Sequence, residues 1–157
     1  MNPIPEQTNN ELDRRHKSTG LIIRAQILIA VVLTAVAWFI TADNASNAVP
    51  SIVGILWIVI LVIAIGAFLL RRVLFAPAVL RDTAVIKGVK GLFQSLQMKT
   101  ILLAAMGEII AVLGFVISQL SGDKYDMLRA AGIALIIFFI SFPSKSAWQR
   151  VAQAAAK

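Results

Sequence analysis

From Val49 to Leu70 the chain runs for twenty-two residues without one ionisable side chain, and most of them are Ile, Leu, Val or Phe. As a helix this stretch covers about 33 Å, against about 30 Å for the hydrocarbon core of a bilayer. It can span lipid or sit at the heart of a large soluble core. The rest of the chain decides between the two. Its 157 residues are 59% hydrophobic and only 15% charged, where a soluble domain carries about 25% charged residues. Too little polar surface is left to wrap a core around such a helix. The same numbers exclude a disordered chain and a collagen, and the absence of Cys excludes a disulfide-stapled domain.

Three further segments read as spans: Leu21 to Ala42, Thr100 to Leu120 and the shorter Met127 to Phe142, which Pro143 closes. The fold class predicted is an all-α membrane protein with four transmembrane helices. Its units are a disordered cytoplasmic tail (residues 1–20), a first hairpin (21–70), a cytoplasmic amphipathic segment (71–98), a second hairpin (99–142) and a cytoplasmic tail (143–157). Thirteen of the fifteen Lys and Arg residues then fall on one side, with Lys124 and Arg129 on the other. The positive-inside rule places both termini in the cytoplasm, and a multi-pass protein of a bacterial-type plasma membrane is expected. A cleavable signal peptide fits the first segment less well, because Glu6, Glu11 and Asp13 precede it. Asn44-Ala45-Ser46 matches a glycosylation sequon, a weak signal.

The net charge of +7 borders apolar segments instead of interleaving with aromatics, which points to anionic lipid headgroups and not to nucleic acid. Between the hairpins, Val85, Ile86, Val89, Leu92, Phe93 and Leu96 recur at helical spacing among basic residues. This predicts a helix in the headgroup plane, with Arg71, Arg72, Arg81, Lys87 and Lys90 on lipid. The alternative is a basic docking face for an acidic soluble partner.

The residue that invites a chemical reading is Glu108. It lies nine residues past Lys99, about 13 Å along the helix. An unpaired charge at that depth costs about 2.5–3.5 kcal/mol on insertion scales, so the group needs a partner or a proton. Ala104, Gly107, Ala111, Gly114 and Ser118 form a stripe of small residues beside it, the kind of surface on which helices approach closely in lipid. Glu108 is therefore expected to border a helix contact. Arg129, placed about one turn outward, is its candidate ion-pair partner.

The stretch Gly107-Glu108-Ile109-Ile110-Ala111-Val112-Leu113-Gly114-Phe115-Val116-Ile117 resembles the carboxylate helix of the proteolipid c subunit of rotary ATP synthases. The resemblance covers about a dozen residues and implies proton or sodium binding at Glu108. The glycine-dense partner helix and the Arg-Gln-Pro loop of that family are not in this chain.

Nothing in the sequence assembles a phosphate loop, an acid–base carboxylate pair or a nucleophilic triad, and His16 is the chain's one histidine. The chain is read as non-enzymatic and without cofactor or metal, a structural or accessory subunit of a membrane complex or an oligomer. The alternatives are ion translocation on Glu108 and recruitment of a soluble partner through residues 73–98.

Overall fold

The computed structural model describes residues 6–41 and 50–142, apart from the side chains of residues 6–9, 50, 77, 80, 81, 87, 89 and 90. The sequon and the tail from residue 143 lie outside the described residues. The described chain is helical, with α1 over Glu6–Ile40, α2 over Pro50–Leu74, α3 over Pro77–Ser121 and α4 over Lys124–Ser141. Asn10–Ile40, Ser51–Leu74 and Gly91–Ser121 are long and apolar enough to cross a membrane. The 18-residue α4 carries Lys124, Asp126 and Arg129 in its first two turns and is not among them.

α3 is the central helix and packs against the other three. Its neighbours' directions follow from individual contacts. Lys99 Nζ donates to the Leu74 carbonyl at 3.0 Å and Met106 reaches Gly66, so α2 and the part of α3 from Lys99 to Met106 are antiparallel. The Lys99 cation meets a carbonyl that helix geometry leaves open. Arg15 bonds to Gln97 and Gln119 bonds to Thr41, so α1 and α3 run parallel. α3 passes to α4 through two residues only. Gly122 adopts φ 69°, where a Cβ would be strained, and its N–H donates to Ser118 O. Asp123 then caps α4 by accepting from Tyr125 N at 2.9 Å.

The shared core contains Ile23 and Ala30 of α1, Ile60 and Ala67 of α2, Leu103, Ala104, Ile110, Ala111 and Ile117 of α3, and Ala130, Ala134, Ile137 and Phe138 of α4. α2 buries only Ile60 and Ala67 among its described side chains. Val53, Leu56, Trp57, Ile63 and Leu70 pack partly buried against the core, and Ile55, Ile58, Leu61, Val62 and Ile65 are exposed.

Two expectations are corrected at the basic end, where Arg71, Arg72 and Lys99 lie. The tail expected to be disordered is helical from Glu6. Leu12 and Thr19 are fully buried, and Arg15 holds Glu11 Oε1 at 3.0 Å while reaching Gln97 Oε1 at 3.2 Å. The amphipathic segment is also not one unit. Gly88 takes φ 66° and ψ 178°, a conformation open essentially to glycine, and kinks α3 there. Beyond the kink, Leu92, Phe93 and Leu96 are buried, level with Leu12 by the register of the Arg15–Gln97 contact. Before the kink, Val85 and Ile86 are about four-fifths exposed. The apolar face expected to lie wholly on lipid is thus divided, and its second half stacks on the start of α1.

Candidate functional site

The small-residue stripe on α3 faces α4. A Cβ on Gly114 would fall on the Ala130 methyl, and one on Gly107 would come within 3.1 Å of the Phe138 ring. Ala104, Ala111 and Ser118 are fully buried beside them, with Ser118 Oγ donating to Phe115 O at 2.8 Å. Glycine at these positions lets the two backbones close and opens room for the largest core ring.

These contacts also fix what stands opposite Glu108. Gly107 meets Phe138 and Gly114 meets Ala130, so Glu108 is level with Ile136 and Ile137. Arg129 is level with Phe115 and Val116, about two turns or 10 Å farther along the axis. The expected pairing of Glu108 with Arg129 is not made. Arg129 instead holds Asp126 at 2.9 Å, three residues back on its own helix. Asp126 is buried and Arg129 is largely exposed.

Glu108 lies on the side of α3 that faces α1. Gln97, Glu108 and Gln119 follow one another at intervals of eleven residues, three helical turns with about 20° of drift. Gln97 and Gln119 each touch α1, through Arg15 and Thr41. Between those contacts Glu108 Oε2 is buried with no hydrogen-bond partner, and so is Gln26 Oε1 on α1. The buried hydroxyls of Thr19 and Thr100 close on their own helix, on Arg15 O and Leu96 O. The α1–α3 contact is therefore a polar seam, bonded at both ends and open in the middle. The sequence reading missed Gln26, Gln97 and Gln119. Their signal was an eleven-residue interval, from Gln97 through Glu108 to Gln119 and from Arg15 to Gln26.

At the end of the bundle remote from Lys99, Lys124 Nζ stands 5.0 Å from the Trp38 ring centroid, and Trp38 meets Tyr125 edge-on at 6.1 Å. Such amphipathic rings favour a membrane–water interface. At the basic end Arg71 and Arg72 are exposed in the last turn of α2. Arg81, Lys87 and Lys90 belong to α3, but their side chains lie outside the described ones. Among the described residues no group of three His, Cys, Asp or Glu could hold a metal ion.

Comparison of the chain with protein-family models, with curated proteins and with solved structures returned no match. The helices themselves define an all-α chain with three helices of membrane-spanning length and composition.

Proposed function

We propose that this chain is a non-enzymatic, four-span integral membrane protein with both termini in the cytoplasm, and that it serves as a structural or accessory subunit of a membrane complex. The observation that carries this reading is α2. It has membrane length, yet it meets the rest of the molecule along one edge and leaves the aliphatic side chains of Ile55, Ile58, Leu61, Val62 and Ile65 exposed. Lipid and a neighbouring helix are the two surroundings that suit such a surface. The two-residue turn into α4 supports a fourth crossing. A helix of 18 residues covers about 27 Å, and its charged first turns sit where Trp38 and Tyr125 mark an interface.

The chain has no cysteine, so single cysteines report cleanly. A membrane-impermeant thiol reagent applied to sealed cells should reach Ser121→Cys and not Asp82→Cys. Oxidation of Ile58→Cys in the membrane should yield a defined crosslinked species with a second copy or a larger partner. Equal labelling of both positions, or a chain that stays monomeric throughout, refutes the proposal.

The buried, unpartnered Glu108 oxygen favours a second reading, in which the protein moves protons or sodium ions through this carboxyl group. In liposomes Glu108→Gln should then abolish gradient-driven flux. Flux from the unaltered protein no greater than from empty vesicles removes this reading.

A further inference from the structure

The register between α1 and α3 brings to one level two residues that each carry a buried oxygen without a hydrogen-bond partner. Arg15 touches Gln97, an offset of 82 residues, and Thr41 touches Gln119, an offset of 78. Glu108 lies midway between Gln97 and Gln119, so the residue of α1 that faces it falls between positions 26 and 30. Gln26 is that polar residue. It stands eleven residues beyond Arg15, as Glu108 stands eleven beyond Gln97, and each keeps within about 20° the direction of the pair that touches. The next candidate at this level, Ala30, is apolar and buried.

The charges that could have met Glu108 are engaged or turned away. Arg15 holds Glu11 and Gln97, and Arg129 holds Asp126. Lys99 bonds to the Leu74 carbonyl, and Arg24 is exposed. Level with Glu108, α4 offers Ile136 and Ile137, neither of them charged. Two acceptor oxygens, Gln26 Oε1 and Glu108 Oε2, are left buried on facing helices. A carboxylate and an amide oxygen repel each other, whereas a carboxylic acid and a primary amide are complementary, each with one acceptor and a donor.

We propose that Gln26 and Glu108 form one interhelical site that holds a single proton. Glu108, as the acid, donates its O–H to Gln26 Oε1, and the Gln26 amide N–H returns a bond to the other carboxyl oxygen. The pair clasps α1 to α3 between the Arg15–Gln97 and Gln119–Thr41 contacts and completes the polar seam. This goes beyond the accessory-subunit reading and does not depend on ion flux. A static clasp and a transport site would both begin from the same protonated pair.

The test uses the full-length protein in lipid bicelles, with isotope-labelled glutamate. Its three glutamates are Glu6, Glu11 and Glu108. Infrared spectroscopy at neutral pH should show the carbonyl stretch of one protonated glutamic acid, absent in Glu108→Gln and displaced in Gln26→Leu. Thermal unfolding should show coupling: the double variant Gln26→Leu/Glu108→Leu is no less stable than the weaker single variant. The interaction should correspond to about a three- to twentyfold change in the unfolding equilibrium, the range of interhelical hydrogen bonds in membranes. The exchanged variant Gln26→Glu/Glu108→Gln should recover both the acid band and the stability. An ionised Glu108, or an acid band indifferent to Gln26→Leu together with additive losses of stability, overturns the proposal. The infrared measurement on the unaltered chain and on isosteric Glu108→Gln does not depend on whether the leucine variants fold.

Discussion

Gly114→Ala should destabilise the protein by about 1–3 kcal/mol, and Gly114→Leu should part α3 from α4 altogether. An alanine methyl at this position would overlap the methyl of Ala130. That methyl is fixed to its backbone and is not the end of a flexible side chain, so the helices themselves must move. In lipid the separated faces gain no penalty from exposure to water that would push them back together, because packing is most of what joins them. Gly107→Ala meets the Phe138 ring at 3.1 Å, and that ring can tilt, so its loss should be smaller. Gly132→Ala on α4 has nothing within 4 Å and should change stability by no more than about 0.5 kcal/mol. Thermal unfolding of the three variants in one detergent, followed by circular dichroism, checks the order. Equal midpoints for Gly114→Ala and Gly132→Ala would show that α3 and α4 do not approach as closely as their backbones indicate.

The three helices of membrane-spanning length and composition were legible because lipid imposes a simple test of length and charge, which α2 passes by composition alone. The glycine stripe of α3 was legible too, since spacings of three and four put Gly107 and Gly114 on one face whatever lies opposite. Register was not. The sequence reading ended one helix at Leu120 and began the next at Met127, but Gly122 in its left-handed conformation and Asp123 as cap shorten the turn to two residues. The side chain opposite Glu108 is set by that turn and by how closely Gly114 and Ala130 approach. Neither is a property of local sequence. Arg129 had a nearer partner in Asp126, visible as an i, i+3 pair, and a short-range bond wins because no second helix need be positioned for it. Gln26 is a polar residue within an otherwise apolar stretch. Its meaning depends on α3, more than eighty residues away, and only the shared eleven-residue interval carries that information along the chain.

The start of α1 shows the same dependence on a distant partner, and it yields the other large effect. Residues 6–20 have a single large apolar side chain with helical neighbours, Leu12, too little to stabilise an isolated helix of this length in water. What orders them is the segment of α3 past Gly88, where Leu92, Phe93 and Leu96 are all buried at the level of Leu12. These turns extend past Lys99 and the α2 terminus at Arg71 and Arg72, into the region where apolar burial from water is again favourable. Phe93→Ala should therefore cost about 3–5 kcal/mol locally, and at 3 kcal/mol the population of the opened N-terminal turns rises about 150-fold. Amide exchange across residues 10–19 should accelerate accordingly, while exchange around Ile60 and Ile110 stays slow, because the spanning helices keep their own contacts. The exposed neighbour Val85 is about four-fifths accessible, and Val85→Ala should leave the protection of α1 unchanged. Slow exchange in residues 10–19 of Phe93→Ala would mean that the start of α1 holds its helix without α3, against the burial of Leu12 and the bond from Arg15 to Gln97.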